Sequence, residues 1–114
     1  MNVVALIGNL ASDIELRDVE PDKKVASFLL AVDRAAKDAG ADFVNVSTWD
    51  RQAEVCDEYL SKGSRIGVSG RLRSRSWEDA EGKRRSAVEV VANKIDFLDS
   101  RAREEESPFE AVAS

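Results

Sequence analysis

The sequence predicts an all-β protein, a small five-stranded barrel with one short helix. Apolar or alternating runs of strand length recur along the chain, separated by clusters of Gly, Pro, Asn and Asp. Only one segment, residues 50–62, has apolar residues at helical spacing. The length of 114 residues suits one domain with a single core.

The first half of the chain predicts a strand followed by a long hairpin. Val3–Leu10 is a short apolar run, and Ile14–Val19 alternates as either a second strand or a continuation of the first. After a turn, Val25–Val32 and Phe43–Trp49 form the arms of a hairpin that turns at residues 37–40. The core side of the first arm is expected to carry Ala26, Phe28, Leu30 and Val32.

The helix is predicted directly after this hairpin. Asp50 is expected to cap its N-terminus, and Gly63 ends it. Cys56, the only cysteine, is interpreted as a helix-packing residue and not as a redox switch. The apolar stripe of the helix is Val55, Tyr59 and Leu60.

A second hairpin completes the domain. Arg65–Trp77 is a long strand in which Gly67 and Gly70 permit a bulge or a sharp bend. The chain turns at residues 79–82 and returns as Ser86–Leu98. Five strands with a helix between the third and the fourth form the layout of an oligonucleotide-binding barrel, or OB-fold.

The composition excludes most catalytic and metal chemistry. The chain has no histidine and one cysteine, so a histidine base, an internal disulfide and a thiolate zinc site are excluded. The acidic pairs Asp13/Glu15 and Asp38/Asp42 leave a metal site as a less favoured alternative. We expect a protein that is not an enzyme and holds no cofactor or metal. No apolar run reaches membrane-helix length and no signal peptide is evident, so we expect a cytoplasmic protein.

The net charge of −5 is unevenly distributed along the chain. Residues 1–103 sum to −1, and the remaining charge lies in the tail, on Glu104, Glu105, Glu106 and Glu110. Because basic residues cluster within the body, a local patch can bind phosphate although the whole chain is acidic. The clusters are Arg71, Arg73 and Arg75, and Lys83, Arg84 and Arg85.

Two strands are each expected to carry a core row on one face and, on the other face, a polar row that includes aromatic residues. Alternate strand residues share a face. The expected core rows are Val44, Val46 and Thr48, and Ile66, Val68 and Leu72. The opposite rows are Phe43, Asn45, Ser47 and Trp49, and Arg71, Arg73, Arg75 and Trp77.

Aromatic rings and arginines at this spacing suit single-stranded DNA. Unpaired bases expose faces that stack on aromatic rings, and arginine pairs with phosphate. A duplex offers no free base faces. The alternatives are that the aromatics are core or interface residues, and that the arginines form a solvated face that discourages edge pairing.

The same residues carry a family resemblance. From Asn2 to about Leu98 the chain resembles the bacterial single-stranded DNA-binding proteins (SSB), and a DNA-binding domain is expected over residues 1–100. The matching segments are VALIGNL (4–10), DIELR (13–17), VASFLLAVDR (25–34), DFVNVSTWDRQAE (42–54), EYLSKGSRIGVSGRLRSRSW (58–77) and FLDS (97–100).

The resemblance implies an OB-fold that assembles as a homotetramer and wraps single-stranded DNA. Ala36 stands where the family usually has an aromatic residue, so one stacking site is expected to be missing or weakened. The implied stacking residues are Phe43, Trp49 and Trp77, and the implied phosphate contacts are Arg51, Lys62, Arg71, Arg73 and Arg75. Further candidates for DNA binding are Arg34, Arg84 and Arg85.

Residues 101–114 are expected to form a short, disordered acidic tail. It resembles the acidic tip through which the family recruits replication and repair proteins, although further residues follow Phe109 here. The residues concerned are Glu104, Glu105, Glu106, Pro108 and Phe109. A merely solubilising tail is the alternative.

These observations predict a nucleoid-associated protein that binds and protects single-stranded DNA, largely independently of sequence, in replication, recombination and repair. One alternative is a protein-interaction subunit, an accessory SSB-like protein with weak or vestigial DNA binding. Another is a carboxylate-dependent nuclease, for which the sequence offers no clustered acidic motif.

Overall fold

The structure, a computed structural model, describes residues 1–35 and 40–98. Six strands and one helix follow each other in this part of the chain. They are β1 (Val4–Leu10), β2 (Glu15–Glu20), β3 (Lys23–Asp33), β4 (Ala41–Trp49), α1 (Asp50–Tyr59), β5 (Arg65–Glu78) and β6 (Arg84–Phe97).

The predicted all-β fold of the OB type is confirmed, with six strands in place of five. The chain bends at residues 11–14, so β2 is a separate strand and not a continuation of β1. At the bend, the Ser12 Oγ accepts a hydrogen bond from the Leu29 backbone N–H (2.9 Å), which ties the bend to β3. The alternative in which Ile14–Val19 forms a strand of its own is therefore the correct one.

One continuous sheet closes into a barrel. Its strand order is β1-β5-β6-β4-β3-β2, and β1 also pairs with β3. Neighbouring strands are antiparallel except for β4 and β6, which are parallel. Within residues 1–35 and 40–98, the closing contact of β1 with β3 consists of Asn9 and Leu10.

Two glycines permit close backbone contact where the sheet curls. A Cβ on Gly8 would collide with the Ala31 carbonyl of β3, and a Cβ on Gly70 would collide with the Val91 carbonyl of β6. The β5–β6 register shifts next to Gly70, where Asn93 of β6 is the extra residue. The bulge therefore lies opposite the predicted glycine and not on its own strand.

Gln52 of α1 satisfies backbone groups of β6 around this bulge. Its Oε1 accepts a hydrogen bond from the Ile95 N–H (3.1 Å), and its Nε2 donates to the Thr48 Oγ1 (2.6 Å). The same Nε2 lies 3.4 Å from the carbonyl oxygens of Ala92 and Asn93. One side chain therefore joins the helix to two strands.

The core lies inside the barrel and under α1. The residues of the predicted core rows that are buried are Ala26, Phe28, Leu30, Val46, Thr48, Ile66 and Val68. They join Leu10, Cys56, Leu60, Val90 and Ala92.

The buried stripe of α1 differs from the prediction. Ala53 and Cys56 are buried within the helix, whereas Val55 is half-buried and Tyr59 is exposed. The helix packs chiefly on β3, and the small side chains of Ala53 and Cys56 allow it to lie close to the sheet. Tyr59 instead contacts the Phe97 ring at its side, with ring centroids 6.3 Å apart.

Beyond Gly70, β5 no longer pairs with β1, and past Leu72 β6 no longer pairs with β4, so the two strands continue as a two-stranded ribbon. The predicted turn at residues 79–82 is confirmed at its tip, where the Asp79 Oδ1 accepts hydrogen bonds from the N–H groups of Glu81 and Lys83, both at 2.9 Å. Gly82 takes a φ of 80°, a value that glycine adopts without steric cost.

The prediction that Leu72 belongs to the core is wrong. Leu72 shares a side of β5 with the buried residues Ile66 and Val68, but it is 48% exposed. It lies on the ribbon, where no other layer of the described residues covers this side of the sheet. Val88 of β6 is exposed for the same reason.

Several predictions concern residues outside the described part of the chain. Ala36 and Asp38 lie within the gap at 36–39, and the acidic tail lies beyond residue 98. The division of the chain at residue 100 stays a prediction. Within residues 1–35 and 40–98, no helix is long and apolar enough to cross a membrane, and no group of acidic or cysteine side chains could hold a metal ion.

Gly70→Ala is expected to lower the free energy of unfolding by about 1–3 kcal/mol or more, because the added methyl group overlaps the Val91 carbonyl. Urea unfolding followed by circular dichroism measures the loss. Gly67→Ala is the matched control on the same strand, because its Cβ would meet its nearest neighbour, Leu98, at an ordinary 3.6 Å. Equal stability of the two variants would contradict the close contact.

The Cys56 thiol is expected to react with an aromatic disulfide reagent at pH 8 only after the protein has been unfolded. Burial raises the pKa of this thiol to about 12, so almost none of the reactive thiolate is present in the folded state. Absorbance of the released aromatic thiol, compared in buffer and in urea, measures the reaction. Rapid reaction in buffer would show that the site is open to solvent.

Candidate nucleic-acid interface

One side of the sheet carries both rows that the sequence predicts. Arg71 of β5 and Ser47 of β4 both lie opposite Val91 of β6. Directly opposed residues point to the same side, and alternation then places the rest of both rows there. We call this surface the aromatic–arginine face, and its members are Phe43, Trp49, Arg71, Arg73, Arg75 and Trp77.

Exposure varies strongly across the aromatic–arginine face. Phe43 is 62% and Trp77 is 42% exposed, whereas Trp49 is half-buried. Ser47 was expected on the polar row but is buried, because it lies between Ser27 of β3 and Val91 of β6. The accessible aromatic surface therefore lies toward the ends of the face and not at its centre.

The junction between β4 and α1 sets the position of Trp49. Trp49, and not the predicted Asp50, occupies the N-cap position, and no side chain among the described residues caps the helix. Asp50 is the first helical residue and has a φ of 55°, a left-handed value that Asp tolerates better than most residues. This sharp change of direction places Arg51 in the first helical turn beside the strand end.

A groove of about 1280 Å³ lies beside Trp49. It brings together four of the predicted DNA-binding residues, which are Trp49, Arg51, Arg71 and Arg73. Apolar side chains from α1 and β6 also line it, including Val55, Val91 and Ile95. An aromatic ring beside an apolar floor can accept a flat base, and the Arg51 and Arg71 guanidinium groups can contact its phosphates.

The three arginines of β5 have different surroundings. Arg71 makes no ion pair or side-chain hydrogen bond with any described residue. Arg73 is paired with Glu89 of β6, at 2.6 Å between Nη2 and Oε1. The Arg75 Cζ lies 5.2 Å from the centroid of the Trp77 ring. The Arg75 guanidinium and the Trp77 ring therefore form a cation–π contact on the same side of β5.

The tip of the ribbon holds the other two predicted arginines. Arg85 lies opposite Trp77 on the aromatic–arginine face and donates from Nε to the Asp79 Oδ2 (2.8 Å). The Arg85 guanidinium, followed by the Lys83 N–H, lowers the pKa of the Asp79 carboxyl. Arg84 alternates onto the opposite side of the ribbon, where its Nη2 donates to the Ser76 Oγ at 2.9 Å.

Phe43, Arg34 and Lys62 lie away from the groove. Phe43 lies near the turn of the β3–β4 hairpin. There the Arg34 Nε donates to the Asp42 Oδ1 at 2.9 Å. Lys62 follows α1, and its backbone N–H donates to Asp13 Oδ1 at the β1–β2 bend (2.9 Å). The predicted set is therefore divided between the groove, the ribbon tip and the opposite barrel end.

Three residues that the sequence analysis did not single out shape the interface. Glu89 pairs with Arg73, Gln52 joins α1 to the bulge, and Asn2 exchanges two hydrogen bonds of 2.8 Å with the backbone of Leu72. The Glu89 contact had only a partial signal in the sequence: the predicted turn at residues 79–82 places residue 88 opposite residue 73, whereas the observed connection is one residue longer and places Glu89 there. Asn2 and Gln52 had none, since their partners are distant backbone groups.

The geometry agrees with comparisons to known proteins. Residues 1–98 match the model of the Single-strand binding protein family. The chain is 45% identical over 105 residues to the "Single-stranded DNA-binding protein 1" of Staphylococcus aureus strain MSSA476, covering 89% of this chain and 67% of that relative. It is 46% identical over 103 residues to the "Single-stranded DNA-binding protein 3" of Clostridium acetobutylicum, covering 87% and 72% of the two chains. The chain therefore belongs to the Single-strand binding protein family.

Proposed function

We propose that this protein binds single-stranded DNA along the aromatic–arginine face, largely without regard to sequence. The observation that carries the proposal is the groove in which Trp49, Arg51, Arg71 and Arg73 meet. Family membership and the names of the relatives support it. They also favour DNA binding over the alternative of a subunit that only binds other proteins.

The chemistry of the face favours a single strand over a duplex. Base stacking on an aromatic ring contributes about 1–3 kcal/mol and needs an unpaired base. Every base has a stacking face, so this contact discriminates little between sequences. Guanidinium groups supply phosphate contacts whose contribution falls with salt. We assign stacking to Phe43, Trp49 and Trp77 and phosphate contacts to Arg51, Arg71 and Arg75. Arg73, also predicted to contact phosphate, lies in the groove but is paired with Glu89.

The remaining predicted cations have weaker support as direct phosphate contacts. Arg34 and Arg85 are each paired with a carboxylate, and Arg84 points to the other side of the ribbon. Lys62 is exposed but lies outside the groove. We propose that these four contact only DNA that continues beyond the groove.

The role proposed for the protein is binding and protection, and not a reaction. Family membership supports a part in DNA replication, recombination and repair. We propose that the protein acts in the cytoplasm, associated with the nucleoid, because single-stranded DNA arises there. The acidic tail, residues 104–109, is proposed to recruit replication and repair proteins on the basis of the resemblance alone.

We also propose that the protein forms a homotetramer, and the free edge of β1 supports this. β1 pairs with β5 along Val4–Asn9, but only Asn9 and Leu10 pair with β3 on the other side. Most of this edge is therefore open to another strand among the described residues. Exposed Val3 and Ile7 make it apolar as well, which favours pairing with a second copy.

A second apolar patch lies on the opposite side of the sheet. Leu72 and Val88 of the ribbon are 48% and 57% exposed. Ile7 lies opposite Gly67, which is on the other side of β5 from Leu72. Two distinct self-contacts are what a tetramer of twofold symmetry requires.

A fluorescently labelled oligo(dT) is expected to bind much more tightly than a duplex of equal length, as measured by anisotropy.

Trp49→Ala and Trp77→Ala are each expected to lose about 1–3 kcal/mol of binding free energy for each base that stacks on the ring. Tyr59→Ala is the control, because Tyr59 is similarly exposed but lies off the face. Duplex binding as tight as that of the single strand would refute the proposal, and full affinity in both tryptophan variants would refute the contact assignment.

Light scattering is expected to show particles whose mass is four times the 12.5 kDa mass of one chain. Ile7→Glu and Leu72→Glu each place a charge in one apolar patch, so each is expected to reduce the particle to dimers. Val19→Glu is the matched control, because Val19 is 50% exposed on β2, away from both patches. Particles with the mass of a single chain at all micromolar protein concentrations would contradict the tetramer.

A further inference from the structure

Arg73 occupies the middle of the β5 row, and a carboxylate lies directly opposite it. Glu89 is the cross-strand partner of Arg73 in the β5–β6 register. The Glu89 Oε1 accepts two hydrogen bonds from the guanidinium, from Nε at 3.1 Å and from Nη2 at 2.6 Å. The pair therefore combines direct charge contact with two donors, from one edge of the guanidinium, on a single carboxylate oxygen.

The pair is less exposed to solvent than the other ion pairs that involve the predicted DNA-binding arginines. The Glu89 side chain is 16% exposed and that of Arg73 is 46% exposed. In the Arg34–Asp42 pair the corresponding values are 52% and 60%. A partly buried pair is screened less by salt, so Glu89 offsets the charge of Arg73 over a wide range of ionic strength.

The position of Glu89 matters because the aromatic–arginine face is the surface assigned to DNA. A carboxylate on this face repels phosphate and occupies guanidinium N–H donors that would otherwise reach it. Arg71, two residues along the same row, has no such partner among the described residues. The row therefore alternates between an available and a neutralised cation.

We infer that Glu89 acts as an internal counter-charge that removes Arg73 from phosphate binding and lowers the affinity of the face for single-stranded DNA. The inference rests on the proposed function and adds a residue that weakens binding. Weaker binding speeds dissociation, because affinity differences within one interface lie mostly in the dissociation rate. Glu89 thus keeps the protein removable from the strand that it covers.

Glu89→Gln tests the inference, because glutamine keeps the shape of the side chain and removes its charge. The variant is expected to bind oligo(dT) about tenfold more tightly at low salt. The slope of log affinity against log salt is expected to steepen by about 0.7, the value for one added phosphate contact on a single strand. Glu78→Gln is the matched control, because Glu78 lies on the same ribbon but on its opposite side.

A double-variant cycle separates the loss of a nearby negative charge from the release of Arg73. Arg73→Gln in the parent chain is expected to change the salt slope little, because Arg73 is already neutralised. Arg73→Gln in the Glu89→Gln background is expected to reverse the gain of about 0.7 in slope. Circular dichroism melting of all four proteins establishes that each remains folded.

The inference is overturned if Glu89→Gln leaves affinity and slope unchanged, or if it weakens binding, since Glu89 would then orient Arg73 for DNA. It is also overturned if Arg73→Gln reduces the slope equally in both backgrounds. These outcomes leave the proposed function intact, because the parent chain still binds the strand. Failure of the parent chain to bind oligo(dT) at low salt would remove the proposed function and the inference together.

Discussion

The close backbone contact at Gly70 is the constraint on which the interface depends. A side chain there would collide with the Val91 carbonyl, so only glycine lets β6 lie against β5 at the point where the register shifts. The bulge ends the barrel and begins the ribbon, and Arg71 is the first residue beyond it. Gln52 satisfies the disturbed backbone of β6 and joins α1 to the same point. The barrel, the helix and the arginine row are therefore positioned by one local irregularity.

Beyond this point the ribbon has two chemically different sides. One side carries the arginine row and Trp77, while the other carries Leu72, Val88, small hydroxyl side chains and, toward the tip, Arg84 and Glu78. Strand alternation produces both from a single hairpin, because neither side is covered by the described part of the chain. The ribbon therefore offers the proposed DNA contacts of the arginine row and the proposed contact of Leu72 and Val88 with another copy on different sides.

Much of this arrangement follows from sequence periodicity, because alternation fixes which residues share a side of a strand. The core rows and the aromatic–arginine face were predictable for that reason. Leu72 was not, since alternation says nothing about where the second layer ends. Asp50 was misassigned because capping propensity does not anticipate a left-handed residue at a tight junction. The charge state of the face could not be read from arginine spacing alone, since Glu89 approaches from another strand.

Both tryptophans of the chain lie on the aromatic–arginine face, and their surroundings differ. Trp49 is half-buried beside the apolar floor of the groove, whereas Trp77 is exposed at the ribbon end with the Arg75 guanidinium near its ring. Their emission is therefore expected to differ in wavelength, with the Trp77 contribution further to the red. The protein thus carries two intrinsic optical reporters on one surface, and a spectrum resolved into two components would follow the order in which the groove and the ribbon become occupied.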